Sequence, residues 1–554
     1  MQPRRRLAPA ATILLALLLA TAPARGERLR LRELSLDVPA SPATVVSADL
    51  DHDGVRDLLV LLVYTKWDQK VEEERTEMSE VGEMVAMMTI VPALLDHREL
   101  WWLRGDTQGG YRRGAEPLPL PLEVHALLVA SPPAEVLALT DQGVDEVVLR
   151  DGALVLAPRL QAASRLAGTG VFLSGLDLLA DLDGDGRAEL LFPSPQGLDV
   201  YRVAGEGPWG EPLSRVALPA IDPPSSPLTL RYPLPEVRDV SGDGKPDLVF
   251  RDPDHDWQHP WVAVNQGGGR FAAAIAPLPA PPEPRPQPRR REGENAPPAP
   301  PVPVYYGDLD GDGRAEVVTD EHHEPGDDAG MREDIRDAEL PRGTLRIFHT
   351  AGDLGPAATP AATFPIEGYV FDLGSESKFR LPAGFRDLDG DGRLDLVSIE
   401  LGISIPRLLG GLALGHVALP MSFHVWCQRA DGGFAPVGGL DLSGKFRVEL
   451  SDLEVHSLPS FAGDFDGDHR VDFVQLGHGR DVSIHRGAAG CRFPSAPDLT
   501  LKLREEPAHL DLVRVGDLDG DGRADLMVVA PGEAPEPGVT PPARLDVYLS
   551  GGER

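Results

Sequence analysis

Asp517-Leu518-Asp519-Gly520-Asp521-Gly522-Arg523-Ala524-Asp525 is preceded by the extended run Leu512-Val513-Arg514-Val515 and followed at once by Leu526–Val529. Acidic residues fill positions 1, 3, 5 and 9 of this stretch, and glycine at position 6 allows the positive φ of a sharp bend. The pattern recurs in full or near-full form, with copies opening at Asp49, Asp181, Asp239, Asp308, Asp387 and Asp464. Short β-rich runs flank them, among them Thr44-Val45-Val46, Leu58–Val63, Leu176–Leu179, Leu190–Phe192, Leu248–Phe250 and Leu396–Ile399. Each acidic stretch is therefore the loop of a β-hairpin, and its repetition predicts a repeat architecture.

Carboxylates two residues apart in a glycine-opened loop can all turn onto one hard cation. Calcium, which accepts about six to eight oxygen ligands with tolerant geometry, is the expected occupant. The candidate ligands are Asp49, Asp51, Asp53 and Asp57; Asp181, Asp183, Asp185 and Glu189; Asp239, Ser241, Asp243 and Asp247; and Asp308, Asp310, Asp312 and Glu316. The later copies supply Asp387, Asp389, Asp391 and Asp395; Asp464, Asp466, Asp468 and Asp472; and Asp517, Asp519, Asp521 and Asp525. A backbone carbonyl from position 7 would complete each of about seven Ca²⁺ sites. The 27 acidic side chains at these positions make the net charge of −34 largely a metal-site signature, and its sign disfavours nucleic acid. Three copies depart from the pattern: Ser241 removes one charge, His52 replaces glycine at position 4, and His469 replaces it at position 6.

An EF-hand would need flanking helices and a bidentate Glu at position 12. That position holds Val60, Phe192, Phe250, Thr319, Ser398, Gln475 and Val528, none of them acidic.

The gap between the first two loops is wide enough for another unit. Within it, Val136–Leu139, Thr140-Asp141-Gln142-Gly143-Val144-Asp145-Glu146 and Val147–Leu149 read as a worn copy without a metal. A typical unit continues with a third strand and a Gly-rich turn, as in Trp261–Val264 before Gly267-Gly268-Gly269-Arg270-Phe271, and a fourth strand is expected after it. The last unit stops at Leu545–Leu549 and Gly551-Gly552, whereas Leu29–Leu36 is a spare strand ahead of the first loop. Pairing the two would close a ring and remove exposed sheet edges. The expectation is an all-β, closed β-propeller of eight four-stranded blades, with seven as the alternative.

These loops and Gly-Gly-Phe turns resemble the FG-GAP/VCBS repeat family, which includes the calcium-bearing propeller of integrin α chains. The resemblance spans nearly all of residues 25–554. It implies a propeller whose calcium ions brace the blade hairpins, in secreted or surface proteins used for adhesion or ligand binding.

Residues 1–24 read as a secretory signal: Arg4–Arg6, the apolar run Ala10–Ala20, then Ala22-Pro23-Ala24, with cleavage after Ala24 or Gly26. A secreted, periplasmic or cell-surface location follows, and no segment is apolar over the length of a transmembrane span. Cys427 and Cys491 either pair or stand as two separate buried thiols.

Insertions interrupt the repeat at 66–98, 277–303, 319–341 and 401–420. The first is Met-rich, with Met78, Val81, Val85 and Met88 at helical spacing, which suits a packing helix or an adaptable binding surface. The fourth carries Ile403, Ile405, Leu408, Leu409, Leu412 and Leu414 with little charge, so it must be covered by a neighbouring loop, a partner or a membrane surface. The sequence holds no nucleophile elbow, zinc-protease motif or phosphate-cradling loop. The reading is a binding or adhesion module for a protein or glycan partner. The alternative is a calcium-dependent polysaccharide lyase or other carbohydrate-active enzyme.

Overall fold

The computed structural model describes residues 29–65, 95–131, 134–170, 172–173, 176, 178–203, 207–218, 235–250, 260–279, 302–323, 342–350, 354–368, 370, 384–401, 416–438, 443–449, 455–457, 460–476, 480–505, 507, 513–532 and 539–551. Every regular element among them is a strand, and the strands form eight antiparallel sheets, the blades of a β-propeller. Blade 1 holds Ser41–Ala48, Asp57–Thr65 and Leu95–Gly105, with an outer edge split between Tyr111–Arg113 and Leu118–Leu120. Blade 8 holds Val513–Gly516, Asp525–Pro531 and Ala543–Ser550. Its fourth strand is Leu31–Val38 from the other end of the chain, in register from Leu31 opposite Ser550 to Val38 opposite Ala543. The expected ring closure is thus present, with eight blades rather than seven.

The second strand of each blade is apolar on both faces because both faces are covered. In blade 1, Leu58, Val60 and Leu62 pack with Met527, Val529 and Leu545 of blade 8. The alternate residues Leu59 and Leu61 pack with Val124, Val136 and Ala138 of blade 2. Shared clusters continue through blades 2 to 4, then between 4 and 5, 5 and 6, 6 and 7, and 7 and 8, so the core itself runs round the ring.

First strands neighbour first strands around the axis, and arginines stitch them. Arg238 Nη1 donates to Tyr306 O at 3.1 Å, Arg386 Nη1 to Phe461 O at 2.5 Å, and Arg514 Nη2 to Ala43 O at 3.2 Å. With the first strand innermost, the connections from first to second strand and from third to fourth share one end of the ring. Those from second to third strand, and from blade to blade, share the other.

Blade 2 corrects part of the sequence reading. Its strands are Val124–Ala130, Glu135–Thr140, Gly143–Arg150 and Ala153–Gln161, so the unit exists as expected. However, Asp141-Gln142 is the tight turn between its second and third strands, at the end opposite the acidic loops. The counterpart of those loops is the short connection 131–134. The apolar runs Val136–Leu139 and Val147–Leu149 show the strand–turn–strand pattern, but that pattern does not say which hairpin of a blade a turn belongs to.

Several strands begin or end inside the stretches read as insertions. Leu95–Arg98 belongs to the third strand of blade 1, where buried Arg98 donates to Val124 O at 2.9 Å and Leu122 O at 2.6 Å. Thr319–His323 and His416–Pro420 likewise lie within strands. Residues 1–28, the Met-rich segment and 402–415 lie outside the described residues.

Candidate functional site

Seven acidic loops join the first and second strands of blades 1 and 3–8, and their carboxylates shape the backbone that carries them. The position 1 carboxylate accepts the amides of positions 4 and 6, as when Asp387 takes Gly390 N at 2.8 Å and Gly392 N at 2.9 Å. The position 5 carboxylate accepts the amide of position 7, as when Asp391 takes Arg393 N at 2.9 Å. The position 9 acid clasps two strands. One oxygen of Asp395 accepts Leu388 N at 2.9 Å from its own loop, and the other accepts Gln428 N at 2.8 Å from the third strand. Asp57, Asp247, Asp472 and Asp525 repeat both contacts with Leu50 and Gly105, Val240 and Asn265, Phe465 and Gly487, and Leu518 and Ser550.

The irregular copies keep the turn, although in blade 1 Asp49 accepts the amides of positions 5 and 6, Asp53 N at 3.1 Å and Gly54 N at 2.9 Å. His469 adopts φ +67° at position 6 and still donates its amide to Asp464 at 2.6 Å. His52 adopts φ +58° at position 4. Histidine tolerates the left-handed region better than most residues, so the turn survives.

Carboxylate oxygens within each loop converge. Ligand atoms of Asp49, Asp51 and Asp53 lie within 4.8 Å of one another, as do those of Asp181, Asp183 and Glu189, of Asp308, Asp310 and Glu316, and of Asp387, Asp389 and Asp395. Asp51 Oδ1, Glu189 Oε1, Asp389 Oδ1 and Asp466 Oδ1 are buried without a hydrogen-bond donor. Buried oxygens left in this way are costly unless a cation meets them, and an all-oxygen donor set suits a hard divalent ion.

Burial raises the position 9 carboxyls: Asp57, Glu189 and Asp247 move upward, Glu316 and Asp395 reach about 6, and Asp472 and Asp525 about 7. Desolvation is the leading cause in each, opposed by the backbone amides the acid accepts.

The loops also touch one another. Leu309 O accepts Leu394 N at 2.9 Å, Leu388 O accepts Val471 N at 3.0 Å, and Asp464 O accepts Ala524 N at 2.7 Å, each bond reaching the loop of the next blade. Glycine at position 4 makes this approach possible. A Cβ on Gly390 (φ +74°) would stand 2.6 Å from His469 O.

The sequence reading did not assign a role to the Gly-rich turns. Gly490 of blade 7 donates its amide to Asp389 Oδ2 of blade 6 at 2.7 Å, so one blade's turn completes the surroundings of its neighbour's loop. The adjacent Cys491 is bonded to Cys427 on the third strand of blade 6, with Cα atoms 5.6 Å apart, so the two cysteines do pair and staple these blades together. In sequence, Cys427 lies near the end of one third strand and Cys491 a few residues after another. Only the ring brings them together.

Two family descriptions match the chain: FG-GAP-like repeat over residues 239–319 and FG-GAP repeat over residues 512–541. Both spans contain an acidic loop with its flanking strands. The chain carries FG-GAP repeats. Among solved structures, a lectin from Agrocybe aegerita, described for recognition of non-reducing terminal N-acetylglucosamine, is 15% identical, with 74% of this chain and 89% of that one covered and a TM-score of 0.38. The extracellular domain of a protein described as a hybrid two-component system of B. thetaiotaomicron is 11% identical, with 80% and 52% covered and a TM-score of 0.13. No curated protein matches the chain. The FG-GAP propeller has no helix among its described residues long and apolar enough to cross a membrane.

Proposed function

We propose that this FG-GAP propeller is a calcium-loaded binding module, secreted or displayed at a cell surface, that recognises a protein or glycan partner. The observation that carries the calcium reading is the convergence of carboxylates in the blade loops with buried oxygens left over, as at Asp389 Oδ1. One ion per loop, held by the acids at positions 1, 3, 5 and 9 (Ser241 at position 3 of blade 4), would brace the hairpin and neutralise a cluster that otherwise repels itself. These acids serve as clasps and ligands, and a ligand must stay ionised, which suits a scaffold better than acid–base catalysis.

The partner reading is supported by how the connections divide between the two ends. The acidic loops and Gly-rich turns share one end. The strand ends bordering 66–94, 324–341, 402–415 and 280–301 all lie at the other, where the chain between strands is long.

The test is a thermal melt in excess chelator and again with calcium restored. Bound ligand stabilises a fold by mass action, so the midpoint should rise markedly with calcium. An unchanged midpoint would sink the calcium reading. A glycan array, scored for binding and for unsaturated products, then separates a binder from a lyase.

A further inference from the structure

The ninth acid of each loop faces a residue on the third strand, and that residue changes character round the ring. Glu189 is directly opposite Arg202, and Glu316 opposite His349. Carrying each ladder one pair on from Leu58–Leu103 and Phe473–His485 places Arg104 opposite Asp57 and Arg486 opposite Asp472. The same step from Leu248–Ala263, Leu396–Trp426 and Leu526–Tyr548 places Val264, Cys427 and Leu549 there in blades 4, 6 and 8. Cationic or titratable residues thus mark the odd blades, and uncharged ones mark the even blades that carry a loop.

The arginines reach the loop carboxylates. Arg104 Nε lies 2.6 Å from Asp51 Oδ2 and its Nη2 2.9 Å from Asp53 Oδ2. Arg486 Nη1 lies 3.0 Å from Asp466 Oδ2. Arg202 pairs with Asp183, and its Nε stands 3.8 Å from Glu189 Oε1, an oxygen of a fully buried residue that has no hydrogen-bond donor. In blades 1 and 7 the guanidinium takes one oxygen of the position 3 acid and leaves the other, Asp51 Oδ1 or Asp466 Oδ1, for a cation, and in blade 3 Arg202 makes no hydrogen bond to Glu189 Oε1. The guanidinium therefore reduces the charge of the site without filling it.

We propose that the arginine opposite the ninth acid lowers the calcium affinity of blades 1, 3 and 7, so that one register position tunes each of these sites. Position 7 of the loop adds a separate cation in blades 4, 6 and 7, where Lys245 pairs with Asp243, Arg393 with Asp391 and Arg470 with Asp468. Calcium affinity in oxygen-ligand loops follows the charge count of the site, and one added positive charge at this range lowers it about tenfold or more. The proposal rests on the calcium reading above and adds which residues tune it.

The experiment counts ions bound per chain at buffered free calcium, by native mass spectrometry of the whole mature chain. Arg104→Met, Arg202→Met and Arg486→Met should each lower about tenfold the free calcium at which one ion binds, whereas Arg104→Lys, which keeps the charge, should leave wild-type loading. Circular dichroism establishes that each variant is folded. Folded methionine variants that load every ion at the wild-type free calcium overturn the proposal while the calcium reading stands. No bound ion at millimolar calcium overturns both.

Discussion

Replacing Gly390 with alanine tests whether the acidic loops are packed against each other or merely lie side by side. Gly390 has φ +74°, and a Cβ there would come 2.6 Å from His469 O in the next blade. Two residues on, Gly392 has φ +85°, with nothing within 4 Å of the same added atom. Both substitutions incur the left-handed strain of an L residue, about 1–2 kcal/mol. Only Gly390→Ala adds a clash with backbone of the neighbouring loop, and forced overpacking costs about 1–3 kcal/mol more. The expected losses are thus about 1–2 kcal/mol for Gly392→Ala and about 2–5 kcal/mol for Gly390→Ala. Urea unfolding of both variants and wild type, side by side in saturating calcium, measures the difference. Equal midpoints for the two variants would refute the inter-blade contact.

Three further outcomes are expected. In chelator, stability should fall as pH rises. Asp472 and Asp525 titrate near 7 and Asp395 near 6 in the fold, against about 3.8 unfolded, so between those values the native state holds protons that the unfolded chain has lost. Melting midpoints from pH 4 to 8 with and without calcium check the sign, and calcium should remove most of the decline. Opening the Cys427–Cys491 bridge, which spans 64 residues, should cost about 4 kcal/mol by loop closure, read as a lower urea midpoint for the Cys427→Ser/Cys491→Ser variant. Deleting Leu31–Val38 should uncover the edge of Ala543–Ser550 and give oligomers on size-exclusion chromatography, whereas a stable monomer would argue against ring closure through that strand.

The hairpin, its acidic loop and the propeller class were legible in the residues, with eight blades favoured over seven. A nine-residue pattern with glycine at the bend and apolar runs on both sides is local chemistry, and its repetition with a spare strand at Leu29–Leu36 required a closed ring. Double burial of the second strand has a local signal too, since Leu58–Val63 is apolar throughout. Other features depended on residues that are remote in sequence or tied by register. Asp141-Gln142 looked like a worn loop because a turn between two strands has the same pattern in either hairpin of a blade. The closeness of Cys427 to Cys491, the seating of Gly490 on Asp389 and the bonds from loop to loop exist only once neighbouring blades are packed. The placing of Arg104, Arg202 and Arg486 against the acids was likewise decided by strand register, because a shift of one residue would turn each guanidinium to the other face of its blade.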